Sequence, residues 1–432
     1  MIDLLPHKQE RALLIGLEHK GVSRWDLKDS LEELAELAST AGASVVGTIT
    51  QCLDRPTAPY YIGKGKVEEV AKRCAEEEIS LVIFDDELTP AQSRNLETVI
   101  ACKVIDRTQL ILDIFAQRAR SREGRLQIEL AQSQYLLPRL TGMWEHLSRQ
   151  SGGIGTRGDG ESQLEIDRRR VQERIARLHR ELAEVRQHRS TQREGRRRHH
   201  WPLASIIGYT NAGKSTLLNR LTGAHVSAAD KLFETLDPTT RQLVLPNNQH
   251  VLLTDTVGFI KKLPHTLVES FKATLEEVHE ADLLIHVVDL SHPNFRDQMA
   301  AVDTVVAELG VHGKQTLIVF NKTDLVLDRD MVTAQLNETP GSVGISARTG
   351  DGLGSLVEEL EMQFSKWRIR SEYRIPAAES ALLAEIHRAG HVLEIRYEED
   401  VACVTAQVEP ELMGKLERFA LSAKPGKNPA RA

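Results

Sequence analysis

The densest chemistry in the chain lies in one run of eight residues, Gly208, Tyr209, Thr210, Asn211, Ala212, Gly213, Lys214 and Ser215, which fits the phosphate-loop pattern GxxxxGK[ST]. Glycine at both ends lets successive backbone N–H groups turn toward phosphate oxygens, and a helix opening at Lys214 adds partial positive charge there. The Lys214 ammonium neutralises phosphate, the Ser215 hydroxyl is a ligand for Mg2+, and Thr216 follows on the same helix start. A glycine-rich turn can produce this pattern by chance, so context decides. Here the run follows the apolar stretch 203–207 and precedes a helical pattern, which is where a phosphate loop must sit.

Three further clusters follow in order. Asp255, Thr256, Val257 and Gly258 end the apolar stretch HVLLTDTVG, where a carboxylate reaches Mg2+ through water and the Gly258 N–H faces a γ-phosphate. Asn321, Lys322 and Asp324 (NKTD) follow the strand pattern 316–320. The Asp324 carboxylate accepts from guanine N1 and the exocyclic amine, whereas adenine would leave it facing an acceptor, and a mismatch of that kind discriminates by ~10⁴-fold. Ser346, Ala347 and Arg348 come after a short strand pattern, with the Ala347 N–H suited to guanine O6. Upstream, LFETLDPTTR supplies Thr239 and Thr240 as candidates for the threonine of a γ-phosphate-ordered loop. Four elements in this order predict a GTPase that binds GTP and GDP, with Lys214 and Gly258 in catalytic positions. After Gly258, where a glutamine could orient water, the chain has Phe259, so intrinsic hydrolysis is expected to be slow.

These clusters need elements to hold them. The sequence predicts an α/β protein: a P-loop GTPase domain over 201–370, preceded by a small, mostly parallel α/β domain (1–116) with a helical-hairpin arm (117–200). A small α+β domain with a basic tail (371–432) follows it, read as helix, two strands turning at 398–400, then helix. The arm holds 19 arginines, no lysine and 11 acidic residues, in a chain whose net charge is −7. Leu164, Val171, Ile175, Leu178, Leu182 and Val185 form a heptad seam, and Leu126, Leu130, Leu137 and Leu140 offer its partner until Pro138 kinks or ends the helix. The five glycines of 151–162 mark the tip of an antiparallel hairpin. Arginine without lysine favours bidentate phosphate contacts and stacking on splayed bases, so the arm is expected to bind RNA. Its contacts would be Arg149, Gly153, Gly155 and Arg157 at the tip and Arg168, Arg169 and Arg170 on the stem, with Trp144 as a stacking candidate. The plainer alternative is a solvated coiled-coil face.

Composition excludes other classes. With 41% hydrophobic and 27% charged residues, global disorder is not expected. Cys52, Cys74, Cys102 and Cys403 form no CxxC pair, which argues for reduced thiols in the cytoplasm. No apolar run approaches the ~20 residues that cross a bilayer, and the acidic start is unlike a signal peptide, so neither export nor stable membrane insertion is expected.

With YYIGKGKVEE, FDDELTPAQSRNLE and SGGIGTRGDGESQLEIDRRR ahead of GYTNAGKS, LDPTTR, DTVGF and NKTD, the chain resembles the HflX family of ribosome-associated GTPases over residues 11–365. That resemblance implies a monomer whose N-terminal domain and arm bind the RNA of the large ribosomal subunit, and a role in splitting stalled ribosomes under stress, or in assembly or hibernation. Asp159 stands where the family usually has proline. The family is also credited with ATP binding by the N-terminal domain, where this chain has no phosphate loop. By resemblance to TTR stretches of related GTPases, Thr240 is the expected ligand of magnesium and the γ-phosphate. Asn211 resembles the asparagine of potassium-stimulated GTPases, in which K+ sits between the phosphates; a loop-stabilising asparagine is the other reading. A signalling switch whose arm is a protein-binding coiled coil is the alternative function from a different class.

Overall fold

The computed structural model describes residues 9–20, 24–142, 159–198, 201–224, 232–262, 276–311, 313–365, 369–398, 400–408 and 410–422. The chain forms two compact units, each assembled from more than one stretch. The first takes residues 1–186, 229–237 and 260–273, and the second takes 187–228, 238–259 and 274–432.

In the first unit, strands β1 (Arg11–Glu18), β2 (Ser44–Cys52), β3 (Leu81–Phe84) and β4 (Lys103–Asp106) form a parallel sheet in the order β2-β1-β3-β4. All four residues of β3 are buried, as expected of a central strand covered on both faces. Helices α1 (Arg24–Thr40), α2 (Lys64–Glu76) and α3 (Pro90–Ile100) connect the strands. Thr89 starts α3 with a capping box to Gln92 and Pro90 at the first turn. Asp106 caps α4 (Arg107–Arg118) by accepting the Gln109 N–H, and Ser121 caps α5 (Arg122–Leu136) by accepting the Gly124 N–H.

The arm consists of α5 and the 40-residue α6 (Asp159–Arg198). Leu126 and Leu130 pack with Leu178 and Leu182, and Ile175 and Val185 flank them, so this part of the expected seam forms. Leu137 and Leu140 do not continue α5. Beyond Leu136 the chain tightens into a 3-10 turn, Leu137–Gly142, because Pro138 cannot donate to the helical ladder. Arg139 anchors that turn by donating to the Leu88 carbonyl at 2.7 Å. Trp144, Arg149, Gly153, Gly155 and Arg157 lie outside the described residues.

In the second unit a six-stranded sheet runs β10-β9-β8-β5-β7-β6. Its members are β5 (Leu203–Gly208), β6 (Thr239–Val244), β7 (His250–Asp255), β8 (Leu283–Asp289), β9 (Thr316–Asn321) and β10 (Val343–Gly344). Only the β6–β7 pair is antiparallel. Helix α7 (Lys214–Thr222) follows the phosphate loop; then come α8 (Glu276–Glu280), α9 (Phe295–Glu308), α10 (Arg329–Glu338) and α11 (Leu353–Ser365).

The last part differs from the sequence reading. It starts with a strand, β11 (Ile369–Pro376), before α12 (Ser380–Ala389), β12 (His391–Glu398), β13 (Val401–Val408), α13 (Pro410–Leu416) and β14 (Ala420–Ser422). The strands form an antiparallel sheet ordered β12-β13-β11-β14. Ser371, Tyr373 and Ile375 are buried while Glu372 and Arg374 are not, a period-two pattern that marks a half-buried strand.

Candidate functional site

All the motifs of the candidate nucleotide site belong to the second unit. They gather at the C-terminal ends of the parallel strands, where open α/β sheets bind ligands. The phosphate loop leaves β5 with a backbone that requires its glycines. Gly208 has φ +150°, and a Cβ there would lie 2.3 Å from the Val287 carbonyl oxygen. Gly213 has φ +95°, and a Cβ there would lie 2.2 Å from Asn321 Nδ2. Asn211 takes the left-handed conformation at φ +60°, which asparagine tolerates better than most residues.

The Asp255-to-Gly258 segment closes against this loop. The Thr210 N–H donates to the Phe259 carbonyl at 2.8 Å, and the Phe259 N–H donates to the Gly208 carbonyl at 3.1 Å. A Cβ on Gly258 would come within 2.8 to 3.0 Å of Thr210 and the Lys214 ammonium, so only glycine lets these backbones approach. The Phe259 side chain is buried. From there it offers no hydrogen bond to water.

Lys214 is buried and donates to the Tyr209 carbonyl at 2.7 Å. Burial pulls its pKa down to about 8, against the opposing pull of Asp255. His286 on β8 is also buried, and burial followed by repulsion from Lys214 lowers its pKa to about 4, so it is neutral at pH 7. The Ser215 hydroxyl donates to Asp255 Oδ2 at 2.6 Å. A hydroxyl and a carboxylate in contact are hard oxygen donors that fit Mg2+, the rest of whose shell would come from phosphate and water. Thr240 is placed differently from the expectation: its hydroxyl shares a 2.8 Å hydrogen bond with that of Thr254, while Thr239 stands opposite Asp255 in the β6–β7 register.

On the base side, Asn321 Nδ2 donates to the Ala212 carbonyl at 2.8 Å, and Asn321 Oδ1 accepts the Ala347 N–H at 2.9 Å. One side chain thus ties the phosphate loop to the base-recognition loop. In this arrangement the Ala347 N–H, expected to face guanine O6, is held by Asn321. A hydrogen bond from Ser346, and then Arg348, keep the Asp324 carboxyl below the usual carboxylate range, in the ionised form that base recognition requires. Arg348 reaches Asp324 at 2.5 Å, and Lys322 pairs with Asp289 at 2.7 Å. Thr256 contributes backbone only, because its hydroxyl donates to the Ile206 carbonyl at 2.7 Å. The phosphate-loop residues, the Ser215 and Asp255 oxygens, and Asn321, Asp324 and Ala347 thus gather along one edge of this sheet, the arrangement expected of a guanine-nucleotide site.

Comparison with known proteins agrees. Residues 28–116 match the family described as GTP-binding GTPase N-terminal, residues 118–196 match GTP-binding GTPase Middle Region, and residues 204–322 match 50S ribosome-binding GTPase. The chain is 45% identical over 418 residues to GTPase HflX of Caldanaerobacter subterraneus subsp. tengcongensis, covering 97% of this chain and 95% of that protein. It is 47% identical over 418 residues to GTPase HflX of Lacrimispora saccharolytica, covering 96% and 98%. With GTPase HflX of Escherichia coli K12 the identity is 44% over 384 residues, covering 89% and 90%. The chain belongs to the HflX family of GTPases.

In this HflX-family GTPase, one contributor escaped the sequence reading. Arg220 on α7 donates to the Ala347 carbonyl at 3.1 Å and to the Arg348 carbonyl, bracing the loop that carries Ser346 and Ala347. No motif announces it, since only its distant partners give it a role. Arg168, Arg169 and Arg170 are exposed on α6, where Arg169 pairs with Glu173 and Arg170 with Asp167. Among the described residues, no helix is long and apolar enough to cross a membrane.

Proposed function

We propose that this GTPase binds the RNA of the large ribosomal subunit through its arginine-rich arm, that GTP times the contact, and that the cycle serves to split or rescue stalled ribosomes under stress. The observation that carries the reading is the arm itself. Its apolar seam is covered internally by Leu126 and Leu130 against Leu178 and Leu182, and its exposed face carries Arg168, Arg169, Arg170, Arg174 and Arg180 interleaved with acidic residues such as Glu165 and Glu173. Exposed guanidinium groups suit phosphate far better than they suit a zipper partner. The match to 50S ribosome-binding GTPases over residues 204–322 supports the same partner.

Lys214, the phosphate-loop N–H groups and Gly258 would bind and orient the triphosphate. Asp324 and the Ser346–Arg348 loop would select guanine, with Asn321 holding the two ends together. Ser215 and Asp255 would hold Mg2+, which neutralises charge that develops on the phosphates. Thr240 would join them only after releasing Thr254. Because Phe259 offers no hydrogen bond to water, the missing stabilisation would come from the ribosome or from K+ near Asn211. The cytoplasm, where ribosomes are, would be its location.

The test measures GTP hydrolysis with and without purified large subunits, in potassium and in sodium, alongside co-sedimentation across a salt series. Stimulation by subunits and retention of the GTP-analogue form, with log affinity falling against log salt at a slope of about −5 for ~6 neutralised phosphates, are expected. If subunits neither capture the protein nor speed hydrolysis, the RNA reading is wrong.

A further inference from the structure

The first unit includes two short stretches cut from the middle of the GTPase motifs, residues 229–237 and 260–273. The first ends at Asp237, separated from Thr239 and Thr240 by Pro238 alone; the second begins just after Gly258 and Phe259. Their described residues, 232–237 and 260–262, are held by named side chains.

Asp237 sits on the N-terminus of the arm helix α5. One carboxylate oxygen accepts the N–H groups of Arg120 at 3.0 Å and Ser121 at 2.7 Å, and the other accepts the Ser121 hydroxyl. Since Ser121 is the N-cap of α5, the carboxylate satisfies donors at a helix start that carries partial positive charge. Gly124 is part of the fit, because a Cβ there would come 2.6 Å from Asp237 Oδ1. Phe233 packs edge-on against Phe115, and Glu234 pairs with Arg118 at 3.1 Å, so residues 233–237 are held at several points.

Lys262 is tied to the sheet of the same unit. Its ammonium lies 2.5 Å from Asp85 and 2.6 Å from Asp86, just past β3. Asp85 is fully buried and also receives Ser30 at 2.7 Å and Arg107 at 2.9 Å. Asp86 is oriented by the hydroxyl of Tyr61, which gives the YYIGKGK stretch a physical role. Arg107 also donates to the Lys261 carbonyl at 3.2 Å, and Lys261 pairs with Asp29 at 3.2 Å.

We propose that Asp237 and Lys262 are positioning residues of the GTPase cycle: they tether the stretches flanking Thr240 and Gly258 to the start of the arm and to the β3 carboxylates, so that the arm helix reports which nucleotide is bound. The tether belongs to the arrangement in which the Thr240 hydroxyl is on Thr254. Drawing Thr240 toward a γ-phosphate and Mg2+ shifts the chain two and three residues after Asp237, and the load falls on the Arg120 and Ser121 amides. By linkage, whatever loosens the tether must favour the triphosphate form by the same factor. The inference rests on assigning Thr240 to the metal, and does not require the RNA reading.

The experiment uses the full chain with Mg2+ and either GDP or a non-hydrolysable GTP analogue, comparing wild type, Asp237→Ala, Asp237→Asn, Lys262→Ala and Gly124→Ala. Gly124→Ala is the key variant. Alanine favours helix, so α5 is kept while the added Cβ displaces Asp237 and crowds the Ser121 hydroxyl at 3.0 Å; circular dichroism and amide exchange over 125–136 check that the helix itself is retained, which separates loss of the tether from loss of fold. In wild type, amide exchange at 120–124 should differ at least threefold between the two nucleotides. In Asp237→Ala and Gly124→Ala that difference should vanish, and the analogue-to-GDP affinity ratio should rise at least fivefold. Lys262→Ala should raise the ratio in the same direction, while Asp237→Asn, which keeps one acceptor oxygen, should fall between. An exchange pattern indifferent to nucleotide in wild type, or an unchanged ratio in Gly124→Ala, overturns the proposal. Thr240→Ala is measured in parallel. If it leaves the Mg2+ dependence of analogue binding intact, the metal assignment has failed, whereas the exchange readout still judges the tether.

Discussion

Lys214 offers the sharpest quantitative test, because its protonation should be visible in nucleotide binding. Burial lowers its pKa from the ordinary 10.5 to about 8, which corresponds to ~3 kcal/mol against the charged form. Phosphate oxygens brought against the ammonium favour that form and return the pKa toward its ordinary range. The sign follows directly. Below about pH 8 the free protein already carries the proton, and affinity is level with pH. Above it, each nucleotide bound takes up one proton, and affinity falls about tenfold per pH unit. At pH 9 roughly one Lys214 in eleven is charged in the free protein, so GDP should bind about tenfold more weakly than at pH 7. Calorimetry at pH 8.5 in buffers of different ionisation enthalpy should report about three-quarters of a proton taken up. Lys214→Arg, charged throughout, should lose the slope and will also cancel any contribution from ionisation of the base. Level affinity from pH 7 to 9 with no proton uptake, or the same slope in the arginine variant, would refute the buried-lysine argument.

Other outcomes can be checked alongside it. Asp324→Asn should move selectivity from guanine toward xanthine nucleotides, read as a ratio of dissociation constants; unchanged selectivity would remove Asp324 from the base site. Arg220→Ala should weaken GDP binding roughly fivefold, ~1 kcal/mol, by releasing the Ala347 and Arg348 carbonyls while leaving the overall fold intact by circular dichroism. Leu178→Ala opens a cavity at a fully buried seam position and should cost the arm ~2 to 4 kcal/mol, seen as faster amide exchange in α5 and α6 with GDP affinity unchanged.

Much of the site was legible because its chemistry is local in sequence. A phosphate loop must join strand to helix within a few residues, so Gly208, Gly213 and Lys214 announce themselves by spacing, and the structure adds only why a Cβ cannot be tolerated there. The candidate base-selecting residues Asn321 and Asp324 likewise stand out by their spacing after β9. The parallel sheet of the first unit could be read from apolar runs such as Leu81–Phe84 between amphipathic helices. Pro138 ends the helix as its missing donor predicts, so Leu137 and Leu140 leave the seam although their spacing suits it. The strand Ile369–Pro376 was not legible, because its period-two burial is set by the sheet that covers one face and its apolar positions are few and interrupted by polar residues.

The amino-acid order alone therefore determined which nucleotide the chain should handle and which residues should handle it. Tertiary structure decided what those residues are tied to. Arg220 braces a loop more than a hundred positions away; Thr240 spends its hydroxyl on Thr254; Asp237 caps a helix start that precedes it by 116 residues; Lys262 reaches carboxylates 176 and 177 residues upstream. The reason is physical. A motif is set by backbone conformations and hydrogen bonds that close within a few residues, whereas a tether depends on which segments distant in sequence meet when a core buries its apolar area, and no local pattern encodes that pairing.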